Sequence, residues 1–89
     1  MTLYVKKPIP VEAIQFTLEN WQEVNKFIGD TFVAADLSDS GIGYLTIKTL
    51  EGNMTARLGA YIIRGVRGEI YSCDKDIFEE TYEEYNAIH

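Results

Sequence analysis

Histidine and cysteine are almost missing from this chain of 89 residues, which holds one of each, His89 and Cys73. His89 is the last residue of the sequence, where a backbone frays and an imidazole is poorly held, so it is a weak general base or ligand. Cys73 therefore has no imidazole to activate it, which removes a Cys-His nucleophile. It also has no partner for an internal disulfide, which fits a reducing compartment. No Cys or His cluster offers a zinc site, and the acids of the chain's last segment do not form the loop that hard cations prefer. The seven glycines are scattered through turns rather than gathered into a phosphate-cradling loop ending in Lys-Ser or Lys-Thr. The expectation is of no catalytic constellation, no metal and no cofactor, hence of a protein that binds rather than catalyses. No apolar run approaches the ~18 residues of a membrane span, and the first eight residues lack the apolar stretch of a signal peptide, so a cytoplasmic location is expected. Cations are scarce too, at 8 against 14 acids, for a net charge of −6. Six acids against Lys75 alone give residues 74–84 a charge of −5, leaving −1 on the rest. General nucleic-acid binding needs a basic footprint, and this balance argues against it.

What is present suits one small domain, residues 1–89. Hydrophobic residues make up 46% and aromatics 12%, enough for a core. Residues 4–16 read as extended. Pro8 and Pro10 each lack a backbone N–H on the same side of such a strand, so it must be an edge or be broken, and residues 11–16 are its better half. Asn20 with Glu23 forms a capping-box pattern, and Trp21, Val24, Phe27 and Ile28 share one helical face that Gly29 closes. At that spacing Trp21 reads as a core anchor.

Strand-like runs follow at 31–37 and 44–50, separated by the polar loop 38–43. A hairpin turning at Glu51-Gly52 pairs Thr49 with Met54, Ile47 with Ala56 and Leu45 with Leu58 on one apolar face. Thr46, Lys48, Thr55 and Arg57 then lie on the other. A second hairpin, 61–66 with 69–73, turns about Arg67-Gly68 and sets Arg64 opposite Tyr71. A last helix starting near Asp74 or Asp76 carries Phe78, Tyr82 and Tyr85 on one face. The order predicts an α+β fold, an antiparallel sheet with one helix after the first strand and a C-terminal helix.

The polar signal left over is cationic and aromatic: Lys48, Arg57, Arg64 and Arg67, with Tyr61 and Tyr71 nearby. Guanidinium forks hold phosphate or carboxylate through paired hydrogen bonds, and tyrosine rings stack on bases. These six are the candidate ligand-binding residues, weighed against the plainer reading that they are ordinary exposed strand residues. Arg64, set among Ile62, Ile63 and Val66, stands out as the one that needs a partner.

Two stretches resemble a known family. Tyr4-Val5-Lys6-Lys7-Pro8-Ile9-Pro10-Val11-Glu12-Ala13-Ile14-Gln15-Phe16-Thr17 resembles its opening. The run from Gly59 to Glu83, including Arg64-Gly65-Val66-Arg67-Gly68-Glu69-Ile70-Tyr71 and Asp74-Lys75-Asp76-Ile77-Phe78, resembles its close, and Leu50-Glu51-Gly52-Asn53-Met54 fits its middle. The family is that of small phage and prophage proteins named for a Pro-Gly-Asp-Tyr-Gly motif. This chain departs at the naming motif, with Leu58-Gly59-Ala60-Tyr61-Ile62, and at Ser72, where a proline is usual. The resemblance implies a phage accessory protein acting in the host cytoplasm. Such proteins often counter host defence, some by sequestering cyclic nucleotide or ADP-ribose-type immune signals in oligomers with arginine and aromatic pockets. The expectation is a small anionic nucleotide-like ligand and a homo-oligomer without membrane contact. The alternatives are an inhibitor that docks on a host protein through its acidic last helix, and a structural accessory with no ligand.

Overall fold

In the computed structural model, which describes residues 1–37 and 43–85, the strands divide into two antiparallel three-stranded sheets. The first contains β1 (Glu12–Gln15), β5 (Tyr61–Arg64) and β6 (Ile70–Cys73) in the order β1-β5-β6. The second contains β2 (Phe32–Asp36), β3 (Tyr44–Thr49) and β4 (Gly52–Arg57) in the order β2-β3-β4. Helix α1 (Trp21–Ile28) follows β1, and α2 (Lys75–Thr81) follows β6. The fold is α+β as expected. The expected loop at 38–43 falls mostly outside the described residues.

The core lies between the sheets. Leu45, Ile47 and Ala56 from the second sheet meet Ile62 and Ile70 from the first, with Phe16, Val24, Ile28 and Ala60 completing the cluster. Alternation along each strand supplies this face, and the α1 spacing supplies Val24 and Ile28. Trp21 packs against the cluster half-buried, its ring 6.0 Å from Phe16 and 6.2 Å from Phe32. The seam between the sheets is narrow enough for the Ser72 N–H to reach Met54 Sδ at 3.3 Å.

Three local expectations are corrected. Asn20 occupies the N-cap position of α1 and its carbonyl accepts the Val24 N–H at 3.0 Å, but its side chain makes no cap bond. Its side chain turns back instead: Oδ1 accepts from the Thr17 N–H and hydroxyl at 3.0 and 2.8 Å, and Nδ2 donates to the Gln15 carbonyl at 2.7 Å. This local competition for backbone groups is what makes asparagine favour turns over helices. Gly29 does close α1, at φ 56°. The β3–β4 hairpin turns one residue earlier than expected, at Leu50-Glu51, since Thr49 pairs with Gly52, Ile47 with Met54 and Leu45 with Ala56. The Thr49 hydroxyl holds the turn, donating to the Gly52 carbonyl at 2.7 Å and accepting the Glu51 N–H at 3.2 Å. The shift is two residues, so the faces are unchanged. Finally, α2 stops at Thr81, so Tyr85, 66% exposed, is not on its face.

The second hairpin differs by one residue. Arg64 pairs with Ile70 rather than Tyr71, and Ile63 pairs with Tyr71. Its turn spans residues 66–68, closed by the Gly65 N–H donating to the Glu69 carbonyl at 2.8 Å, with Gly68 at φ 83°. A three-residue turn with a left-handed glycine has an odd length, and an odd shift moves every partner to the other face of the sheet.

Candidate functional site

That single shift separates the expected site residues. Arg64 lies on the face of the first sheet that looks into the α1 side, alongside Ile62 and Ile70. Its Nη1 donates to Glu12 Oε1 and its Nη2 to the Phe27 carbonyl, both at 2.9 Å. Its guanidinium also sits 4.3 Å from the centre of the Phe27 ring. The partner that this arginine needs is therefore internal: the open C-terminal turn of α1 and the neighbouring strand.

Tyr61 and Tyr71 lie on the opposite face, with Ile63 and Cys73. Here α2 packs. The Tyr61 ring stacks on Phe78 at 3.9 Å, and Phe78 stacks on Tyr82 at 4.7 Å. The Tyr71 and Tyr82 hydroxyls are 3.4 Å apart. Burial first, then the Tyr82 hydrogen bond, pushes the Tyr71 phenol far above its ordinary value. Cys73, half-buried, has its thiol pushed up by burial and by the Asp74 carboxylate, which opposes thiolate formation. Arg67 occupies the turn beyond both faces. It is exposed, and its backbone N–H donates to Glu69 Oε1 at 2.9 Å.

Arg57 and Lys48 share the outer face of the second sheet, as the alternation predicted. Both are exposed, and neither side chain bonds or ion-pairs with a described residue. Across the ladder Arg57 is opposite Tyr44, which is 42% exposed, and Tyr44 is opposite Asp36 on β2. Lys48 stands four residues from Tyr44, or ~13 Å along the strand, so the two cations rise from separate points of the face. Between them run Thr46 and Thr55, paired in register with hydroxyls 3.2 Å apart. Below Arg57 a cleft of about 450 Å³ opens between the β4–β5 connection and α2, lined by Arg57, Leu58, Ala60, Asp74, Lys75 and Asp76.

Of the six expected residues, the fold thus keeps Arg57 and Lys48 on one open surface. Arg64, Arg67 and the two tyrosines are distributed over three other places. Tyr44 and Lys75 were missed. Tyr44 has the same parity on β3 as Lys48, so extending the register by two more pairs finds its ring. Lys75 comes near Arg57 only through the packing of α2, which no sequence spacing encodes. Among the described residues no three His, Cys, Asp or Glu side chains converge as a metal site would require, and no helix is long and apolar enough to cross a membrane. No family model, no curated protein and no solved structure matches the chain.

Proposed function

We propose that this chain is a non-enzymatic binding protein whose ligand surface is the outer face of the second sheet, with Arg57 and Tyr44 at its centre. The observation that carries this reading is the Arg57–Tyr44 pair: an exposed guanidinium without a described partner, directly opposite an exposed ring. A guanidinium fork takes a phosphate, and a tyrosine face takes a base or a sugar. Lys48, ~13 Å further along, suits a second phosphate, and so favours an elongated ligand over a single phosphate. The ligand class is a small anionic nucleotide-type molecule. The resemblance to phage accessory proteins supports a role in counter-defence, the sequestering of a cyclic nucleotide or cyclic ADP-ribose-type signal in the host cytoplasm.

Titration calorimetry against cyclic dinucleotides and cyclic ADP-ribose isomers tests it. Losing a charge-assisted contact costs ~1.5–3 kcal/mol, so Arg57→Ala should weaken binding roughly 10- to 150-fold. Tyr44→Ala should weaken it less. An Arg64 variant that remains folded should bind normally. Equal binding by Arg57→Ala and the wild type refutes the assignment.

A second reading rests on α2 and its approach. Asp74, Asp76, Glu79 and Glu80 are all exposed, and none pairs with a described cation. An unneutralised acidic edge suits docking on a basic host protein, with electrostatic steering of the encounter. No heat with any nucleotide, in a folded sample, favours this reading.

A further inference from the structure

The segment before β1 is the most exposed apolar part of the described chain. Leu3, Tyr4 and Val5 are 88%, 88% and 92% exposed, and Ile9 is 54% exposed. Residues 2–5 make no hydrogen bond with any described residue. The composition is not that of a disordered tail. Thr2, Tyr4 and Val5 are strand formers, and the run is short, apolar and free of glycine. Pro8 and Pro10 separate it from β1. Neither can donate to a ladder, and each biases the residue before it toward an extended backbone, so the segment is carried off as an arm rather than folded back as a hairpin. Lys6 marks where the arm leaves the body, its Nζ 5.6 Å from the centre of the Tyr82 ring.

The body presents the complement. Among the described residues β2 pairs only with β3, so no described strand covers its other edge, and all five of its residues are exposed, Phe32 and Val33 at 43% and 44%. The other outer strands are less available. β4 and β6 border the seam between the sheets, where Met54 takes the Ser72 N–H, and the Gln15 carbonyl of β1 is occupied by Asn20. An open, apolar edge strand is a template for an added strand.

We propose that the arm of one copy, residues 2–6, adds as a fourth strand to the β2 edge of a second copy, and that two copies exchange arms. Each copy has one strand to give and one edge to fill. A two-fold exchange satisfies both at once and leaves no edge to propagate a fibre. Charge agrees with this. Residues 1–11 hold Lys6, within the arm, and Lys7, just after it, and no acid, so the net charge of −6 divides into +2 on this stretch and −8 on the remainder. The arm therefore finds opposite charge on any second copy. The proposal is independent of the ligand reading, because the β2 edge lies beside, and not on, the Arg57–Tyr44 surface.

Light scattering at micromolar concentration tests it on the full chain. The wild type should have twice the 10.1 kDa chain mass. Leu3→Asp with Val5→Asp should reduce it to 10.1 kDa with an unchanged far-UV circular dichroism spectrum. On the receiving side, Val33→Pro should do the same. Val33 sits at the register shift between Phe32 and Ala34 and has no register partner in β3, so a proline there removes no register pair of the β2–β3 ladder. Val33→Lys, a charged edge blocker, replaces it if the proline variant does not fold. A monomeric wild type overturns the proposal. So does a dimer that survives the arm substitutions, which means that other surfaces hold it. A dimer lost with the arm variant but kept by the folded Val33 variants also overturns it, since the arm then docks elsewhere.

Discussion

The Arg64 guanidinium donates to the Phe27 carbonyl at 2.9 Å while lying 4.3 Å from the centre of the ring of the same residue. It thus ties β5 to the last turn of α1, where carbonyls lack helical partners. The Glu12 arm of the contact is worth little, because Glu12 is 71% exposed and water screens the pair. Arg64→Ala should therefore destabilise the fold by about 1–3 kcal/mol, while Glu12→Ala should cost less than about 0.5. Arg64→Lys should recover only part of the loss, since an ammonium cannot both donate in the fork and stack flat on a ring. Urea denaturation of the three variants measures this. Equal costs for Arg64→Ala and Glu12→Ala contradict it.

The three-ring stack of Tyr61, Phe78 and Tyr82 is the clearest attachment of α2 to the first sheet. A seven-residue helix is too short to persist alone in water. Phe78→Ala should detach α2 and cost about 2–4 kcal/mol. Hydrogen exchange should show the loss first at the amides of 78 and 82, which bond back to Asp74 and Phe78. Retained protection there means that other contacts hold the helix.

Tyr71 gives the fold an alkaline limit. Its phenol is raised above the ordinary 10.0 by burial and by the Tyr82 hydroxyl, both of which act only in the folded state. The unfolded chain releases this proton near pH 10 while the folded chain keeps it. Folded protein then binds more protons than unfolded, so stability falls as pH rises above about 10 and is unaffected below. Tyr71→Phe removes this term. In a Cys73→Ser background, which removes a thiol of the same sign, the protein that keeps Tyr71 should lose more stability between about pH 9 and about pH 11 than the one carrying Tyr71→Phe. Parallel losses exclude Tyr71 as the source.

Gly43 is required for space. A methyl group there would meet Leu58 Cγ at 2.8 Å and the Asp36 carbonyl oxygen at 3.2 Å, in a buried position. Leu58 packs on the core cluster, and a β-strand carbonyl cannot easily retreat. Gly43→Ala should cost about 1–3 kcal/mol, read as a lowered denaturation midpoint without a change in slope. No change in midpoint means that Leu58 repacks freely.

The amino-acid sequence alone determined the order and type of the elements here. Hydrophobic alternation marked the strands, the Trp21–Val24–Phe27–Ile28 spacing marked α1, and the faces of the first hairpin survived a wrong turn assignment because the error was even. Period-two patterns tolerate that error. The second hairpin had no such protection. Whether its turn holds two residues or three is decided by the Glu69 and Gly65 contacts at its mouth, and the odd length alone puts Arg64 and Tyr71 on opposite faces. Only tertiary structure decided what each cation and ring then meets. Arg64 met a helix end, Tyr61 met Phe78, and Arg57 met open surface, because docking of α1 and α2 depends on side chains brought together from tens of residues apart. Local spacing carries no record of that distance.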